Sequence, residues 1–365
     1  MHMFPPQSKE NWLKKVDKVT KGQAFDADAV LYQRQSGPGA ARTTQGPWRI
    51  FMRMDHGDVS RAEHQAAEDV ANGAGGLIVA RAELIPVLAT LPLHQLALRN
   101  EAGDESAEAI AAQIAAMPLD PARLAIDFGV ASPDLARRLN GKGFSGPLMR
   151  SDGRKFHDQG CDDGQELGAV MATAMAAFSD LDFLAAATRA HAVSITLAAS
   201  QDFLTTIAKF RAARVLWRDI LSRGKLPDAS LALHGETSSK MFAGVDVHSN
   251  ILRAVSAAFG AGLGGADSFS VLPFSIKQGV PNAFARRVAR NVQNILLHES
   301  HLWRVADPAA GAGAFEKKTE QLCNEALKVI QSVERGVWPS GVSTVRPVIG
   351  VTSHRPAHEL PPEVV

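Results

Sequence analysis

From residue 48 onward, short apolar runs of strand composition alternate with helical patterns, and this rhythm limits the possible folds more than any other feature. The first run, Trp48–Met54 (WRIFMRM), is followed by a helix with Ser60 as its expected N-cap and an end near Ala71. Leu77–Ala80 comes next, then a helix opened by Ser106. Arg123–Gly129 (RLAIDFG) leads into a helix at Ser132-Pro133, where proline suits the first turn. Gly146–Ser151 precedes a helix over 163–178, and His191–Ser200 precedes one over 202–222. Ser230–Glu236, Ser268–Phe274 and Leu302–Asp307 are followed by helical patterns over 247–259, 282–298 and 317–334.

Eight strand-then-helix units exceed the six strands of a usual doubly wound sheet, and hairpin signals for a sandwich are missing. The pattern predicts an α/β fold, a (β/α)8 TIM barrel over residues 48–336, with an open sheet as the alternative. Residues 1–47 form an N-terminal arm with a charged helix candidate at Lys9–Lys18, and residues 337–365 a Pro-, Ser- and Val-rich tail. Neither can bury a core alone, so each is expected to lie across the barrel or on a partner.

Composition narrows the function classes. With 39 basic and 38 acidic residues the net charge is +1, which gives no global reason to bind nucleic acid or an anionic membrane. Cys161 and Cys323 cannot form a disulfide framework and suggest a reducing setting. No signal-peptide core or membrane-length apolar run stands out, so a cytoplasmic protein is expected.

Chemistry in such barrels sits at the C-terminal ends of the strands. That rule selects Arg53, Asp55, His56, Asp152, Lys155, His157, Gln201, Asp202, His234, Glu236, Thr237, Lys277 and Asp307. No tight metal-ligand spacing is present, so no metal is expected. Three look-alikes are discounted. Gly260, Gly262 and Gly265 spell a dinucleotide fingerprint but follow a helix and precede a strand, the wrong order for a pyrophosphate. Asp246-Val247-His248 resembles a cobalamin signature, but Ile251 stands where a glycine belongs, so a helix N-terminus is expected. Phe203, Ile207, Phe210, Trp217 and Leu221 read as a helix face packed on the barrel.

Several long motifs in series carry a family resemblance. They are PWRIFMRMDHGD (47–58), DGRKFHDQGCDDGQELG (152–168), AKFRAARVLW (208–217), SNILRAVSAAFGAGLGGADSFSVLPF (249–274), RRVARNVQNILLHES (286–300) and RVADPAAGAGAFEKKT (304–319). The chain resembles the coenzyme B12-dependent methylmalonyl-CoA mutase family, and its finer pattern is most similar to the small, non-catalytic subunit of two-subunit bacterial mutases. RPVIGVTSH (346–354) looks like the linker that follows the barrel in that family.

The resemblance implies a tyrosine at the end of strand 1 of active subunits, where this chain has Arg53; the single tyrosine is Tyr32. It implies a Tyr-His pair after strand 4, where Arg154 and Lys155 stand, with His157 two positions further on. A substrate radical needs a dry site with neutral donors, which unpaired guanidinium and ammonium groups oppose. Active barrels are lined by small polar residues, a pattern seen here in Ser194, Thr196, Ser268 and Ser270 only; bulky Leu77, Ile78, Val79, Leu124, Ile126 and Phe128 suggest a mostly filled axis. Arg211, Arg214, Asn291, Gln293 and Asp307 are expected to fix packing, while the counterpart of Glu299 lies near the adenosyl site of active subunits.

The resemblance therefore implies an isomerase-family chain that is inactive alone, with no catalytic residue of its own. It would bind no cofactor itself and pair with a B12-binding large subunit that carries adenosylcobalamin, since the length leaves no room for a B12-binding domain beside the barrel. Two alternatives stay open: a substrate-binding acyl-CoA mutase subunit served by a separate small cobalamin carrier, and a self-associating barrel, a homodimer, used as a binding module. If a ligand enters the mouth, Arg53, His56, Lys155, His157, Gln201 and Glu299 are the candidate contacts.

Overall fold

A computed structural model describes residues 8–21, 39–42, 46–340 and 351. Tyr32 and most of the arm and tail, including the linker-like stretch apart from Val351, lie outside the described residues.

Eight parallel strands run around one axis: β1 (Arg49–Met54), β2 (Gly76–Val79), β3 (Ala97–Asn100), β4 (Ala125–Asp127), β5 (Met149–Asp152), β6 (Val193–Ala199), β7 (Ala232–Thr237) and β8 (Ser268–Ser270). Their order is β4-β3-β2-β1-β8-β7-β6-β5, so the sheet curls until its edges β4 and β5 meet. That seam is joined by a parallel bridge between Val130 and Met149 and by amides of Phe128 and Val130 donating to the carbonyls of Pro147 and Leu148, both at 2.9 Å. The predicted barrel is present, nearly closed by its ladders and stitched at the last seam.

Two strand assignments change. The expected eighth strand, Leu302–Asp307, is a 3-10 turn over Leu302–Arg304 leading to a loop, with the Trp303 indole donating to the Leu297 carbonyl at 3.1 Å. The missing strand is β3, so the runs predicted as strands 3 to 7 are β4 to β8. β3 escapes a hydropathy reading because it is short and carries a charge inward: Ala-Leu-Arg-Asn is fully buried, yet Arg99 enters the axis. The β2–β3 connection contains a 3-10 segment, Ala82–Thr90, with Pro86 inside it.

The helices, in chain order, are α1 (Lys9–Thr20), α2 (Val59–Ala71), α3 (Asp104–Ala115), α4 (Pro133–Gly141), α5 (Arg154–Asp158), α6 (Asp163–Asp180), α7 (Ala186–His191), α8 (Phe203–Arg223), α9 (Ser249–Leu263), α10 (Ala283–Asn294) and α11 (Gly313–Glu334). Asp58, rather than Ser60, caps α2 by accepting from the Arg61 amide at 2.8 Å. α3 likewise starts at Asp104, two residues before the expected Ser106. A capping box between Asp162 and Gln165 starts α6. α11 packs across α6 and α8, which explains why α8 buries Lys209, Arg211 and Arg214 as well as Ile207, Phe210, Trp217 and Leu221. Phe203, the first residue of the predicted apolar stripe, is exposed.

The core has two faces. Leu77, Val79, Leu124, Ile126 and Phe128 join the large cluster between sheet and helices, where full burial stabilises each by about 1.5–3 kcal/mol. Ile78 points the other way, into a small cluster with Phe51 and Ala97 inside the barrel. Gly76 makes room for it: a Cβ there would come within 2.5 Å of the Phe51 ring. Gly260 and Gly262 lie within α9, with Gly262 against Trp48, and Gly265 turns at φ +93° into β8, so the glycine run is packing and turn. Among the described residues no helix is long and apolar enough to cross a membrane.

Candidate functional site: the barrel mouth

Side chains alternate across each strand, so every second residue enters the axis. On β1 these are Phe51 and Arg53; on β3 and just beyond it, Arg99 and Glu101; on β4, Asp127. On β5 they are Arg150 and Asp152, on β6 Ser194 and Thr196, on β7 His234 and Glu236, and on β8 Ser268 and Ser270. Above the apolar floor of Phe51, Ile78 and Ala97, the axis is filled by ions.

The lower ion layer centres on Asp127. Arg99 reaches it at 2.6 Å, Arg150 at 2.8 Å, and the Ser194 hydroxyl donates to it at 2.9 Å. Arg99 also meets Glu101 at 3.1 Å and the Thr196 hydroxyl. Burial, then the neighbouring Arg150, pulls the Arg99 guanidinium down to about 10. His234 donates to or accepts from Ser268 at 2.8 Å and stands edge-on to Phe51. Burial, then Arg99 and Arg154, keeps its imidazole neutral.

The upper layer holds Arg53 and Arg154 between Glu101 and Glu236. Arg53 bonds both carboxylates at 2.8 Å. Arg154, the first residue of α5, meets Glu236 at 2.7 Å, Glu101 at 2.8 Å and Asp152 at 2.7 Å. Burial alone would raise the Glu101 carboxyl, but Arg154 and Arg53 overcome it and hold it well below the usual carboxylate range. For Arg154, burial is likewise outweighed, by Glu236 and Asp152, and its pKa is raised. The Ser270 hydroxyl donates to Glu236 at 2.7 Å. Four guanidiniums face four carboxylates, so the plug is neutral and every charge has partners. The filled axis expected from bulky strands is real, but the filling is ionic.

Beside the mouth lies a second buried cluster. Lys209 of α8 is clamped between Asp163 at 2.7 Å and Glu166 at 2.8 Å. Complete burial raises the Glu166 carboxyl to about 7 against the pull of Lys209. His157 Nε2 lies 2.7 Å from the Ser238 hydroxyl, and its Nδ1 lies 3.6 Å from Glu166, too far for a hydrogen bond. Burial, then Lys209, lowers the imidazole to about 3, so His157 is neutral at pH 7. Ser238, His157 and Glu166 therefore imitate a triad in composition but lack the second hydrogen bond that would orient the imidazole.

Of the candidate contacts, Arg53 alone enters the plug and His157 flanks it. His56 is half-buried in the β1 loop, its Nδ1 accepting from the Asp58 amide at 2.9 Å. Lys155 is exposed, next in sequence to Arg154, which fills the mouth. Gln201 uses its backbone carbonyl to accept from the Ser256 hydroxyl at 2.8 Å. Glu299 is exposed in a π-helical turn after α10. α10 starts at the mouth, where Arg286 bonds the Arg53 carbonyl, and descends to Asn294, which bonds the Asn72 carbonyl beyond the end of α2; Glu299 follows at the opposite end of the barrel. Asp307, selected as a strand end, instead accepts from Arg211 at 2.9 and 3.0 Å, and Arg211 also bonds Glu316 and Thr319. Arg214 bonds the Gly265 carbonyl, and Gln293 accepts from the Trp48 indole at 3.1 Å, so these three side chains fix packing.

Sequence reasoning missed Arg99, Glu101, Asp127 and Arg150. Their signal was the spacing of two in Arg99/Glu101, Arg150/Asp152 and His234/Glu236, a strand period written in charged residues. Among the described residues, no group of three or more His, Cys, Asp or Glu side chains could hold a metal ion.

A family model described as methylmalonyl-CoA mutase matches residues 149–339. The methylmalonyl-CoA mutase small subunit of Streptomyces virginiae is 33% identical over 322 residues, covering 80% of this chain and 52% of that one. The methylmalonyl-CoA mutase small subunit of Porphyromonas gingivalis is 35% identical over 149 residues, covering 40% of this chain and 24% of that one. The methylmalonyl-CoA mutase of Rhizobium meliloti is 37% identical over 145 residues, 39% of this chain and 20% of that one. The match spans about half the length of the first of these relatives, at 52%, and less of the other two.

Proposed function

The chain belongs to the methylmalonyl-CoA mutase family, and from that premise we propose that it is a non-catalytic structural subunit, pairing with a B12-binding chain that performs the isomerisation. The observation that carries the reading is the ionic plug. Arg53 and Arg154, which stand at the two positions where the resemblance implies tyrosines in active subunits, are committed to Glu101 and Glu236. An acyl-CoA arm threading the axis would have to displace this network, leaving buried charges unpaired at several kcal/mol each, of order 3–5. That opposes the substrate-binding alternative. The names of the Streptomyces and Porphyromonas relatives, both small subunits, support a partner large subunit.

The reading leaves the cobalamin that the family implies to the partner, and the one cobalamin-like run of this chain supports that. His248 of the cobalamin-like Asp246-Val247-His248 run caps the start of α9 and its ring packs on Phe274 at 5.2 Å. No step of a reaction is assigned to the cofactor on this chain; in the proposed complex the partner brings it.

Co-expression with the B12-binding mutase chain of the same source tests the reading. The expected result is a stable heterodimer, together with no saturable acyl-CoA binding by the isolated chain at millimolar ligand. A catalytic chain equally stable and active without this one would overturn it. Saturable acyl-CoA binding by the isolated chain would favour the substrate-binding subunit, and a homodimer indifferent to the partner would favour the binding module.

A further inference from the structure

We propose that α5 is an autoinhibitory latch: Arg154 is a built-in occupant of a guanidinium-shaped cage at the barrel mouth, and the latch swings out as a unit to vacate it. Of the four axis arginines, Arg154 alone comes from outside the strands. Its planar head is matched on every edge. Nε and Nη2 fork onto Asp152 at 3.0 and 2.7 Å, Nη1 meets Glu236 at 2.7 Å and Glu101 at 3.3 Å, and Nη2 meets Glu101 at 2.8 Å.

The cage does not depend on the latch. Glu236 is held by Arg53 and Ser270, and Glu101 by Arg53 and Arg99. Asp152 sits on β5, whose ladder to β6 fixes its backbone. Without Arg154 the plug carries three guanidiniums against four carboxylates, and the surplus negative charge faces the mouth.

The latch is lightly attached. No residue of α5 is buried. Beyond Arg154 it is held by the His157–Ser238 contact, by Lys240 donating to the His157 carbonyl at 2.6 Å, and by Phe156 stacked on the half-exposed Trp338 at 6.1 Å. Gly153 and Gly160 bracket it; Gly153 is pinned to the Thr196 carbonyl at 2.8 Å, and Gly160 turns at φ +98°, a conformation glycine adopts without strain. A segment held by a few polar contacts, with no buried apolar side chain of its own, opens locally rather than with the whole fold. The matching ligand class is a small guanidinium compound, because the carboxylates are spread to suit a planar fork.

The test uses the full-length Arg154→Ala protein and methylguanidinium as probe, with sodium chloride at equal ionic strength as control. The variant is expected to unfold at lower temperature than wild type, and millimolar methylguanidinium to restore about half of the lost shift saturably. The wild-type protein should show no saturable gain, and Arg154→Ala combined with Glu236→Gln should lose the rescue. No saturable rescue, or an equal one in the double variant, overturns the proposal. Should Arg154→Ala not fold, hydrogen exchange of the wild-type chain decides. Amides over 157–161 should exchange at rates insensitive to low denaturant, while those of α6 respond to it; the same denaturant response in both overturns the latch. Neither readout depends on the partner chain, so the latch and the structural-subunit reading fail separately.

Discussion

The barrel axis and the helix layer both bury arginines, yet they satisfy them in opposite ways. In the axis, partners are shared: Glu101 meets Arg53, Arg99 and Arg154, and Glu236 meets Arg53 and Arg154. Between α2 and α10 a single acid carries most of the load. Asp69 accepts from both Arg286 and Arg290, and Arg290 has no other carboxylate partner among the described residues. Arg286 has Asp55 at 3.3 Å in addition, and the Nε atoms of both arginines are buried without a bond. A redundant network tolerates the loss of one member; a knot with a single acid does not.

The largest expected effect follows from the knot. Asp69→Ala leaves Arg290 buried and unpaired and should cost about 3–5 kcal/mol in urea unfolding. Glu236→Gln should cost less, about 1–3 kcal/mol, because Arg53 and Arg154 each keep Glu101 and the amide can still accept one bond. Equal losses in the two variants would break the contrast between shared and single partners.

The same contrast explains what the sequence revealed. The helix layer was legible because apolar residues mark its period: α8 and α10 fall where their stripes place them, and Arg211, Arg214 and Gln293 hold the packing expected of them. The axis was legible only where its residues are small and polar, as in Ser194, Thr196, Ser268 and Ser270. β3 was lost because a lumen filled with charge removes the apolar alternation that announces a strand, while Leu302–Asp307 imitated one with its Leu-Trp start. Partner choice in the plug was invisible for another reason. Arg53 and Glu236 stand on β1 and β7, far apart in sequence, and pairing of both strands with β8 brings them together.

The flanking cluster offers a pH-dependent sharpening. His157 is lowered to about 3 by burial from an ordinary value of 6.5, so its contribution to stability is full above pH 6.5 and is lost as pH falls toward 3. Glu166 has the opposite sign. Raised to about 7 by burial, it takes up a proton in the folded state first, so its contribution grows as pH falls from about 7 to 4.5. The two slopes oppose one another in the wild-type chain. His157→Asn removes one of them, and near pH 5 the variant should recover about 2 kcal/mol relative to its deficit at pH 7. Urea midpoints measured between pH 4.5 and 7 check this; identical pH profiles for variant and wild type would show that His157 protonates freely in the fold.

The smallest effect belongs to a pair that looks strong on distance alone. Arg138 reaches Glu108 through Nε at 3.0 Å and Nη2 at 2.8 Å, geometry as good as any in the plug. Its side chains, however, are 56% and 49% exposed. Water solvates both ions when they separate, so neither is stranded by loss of the other, and salt screens what attraction remains. A double-mutant cycle with Arg138→Ala and Glu108→Ala should give a coupling of about 0.2–1 kcal/mol that shrinks further in 1 M salt. The plug pair Arg53–Glu236, with side chains 21% and 8% exposed, should give a larger coupling that persists in the same salt. A surface coupling as large as the plug's would mean that bond geometry, and not access to water, sets the strength of these pairs.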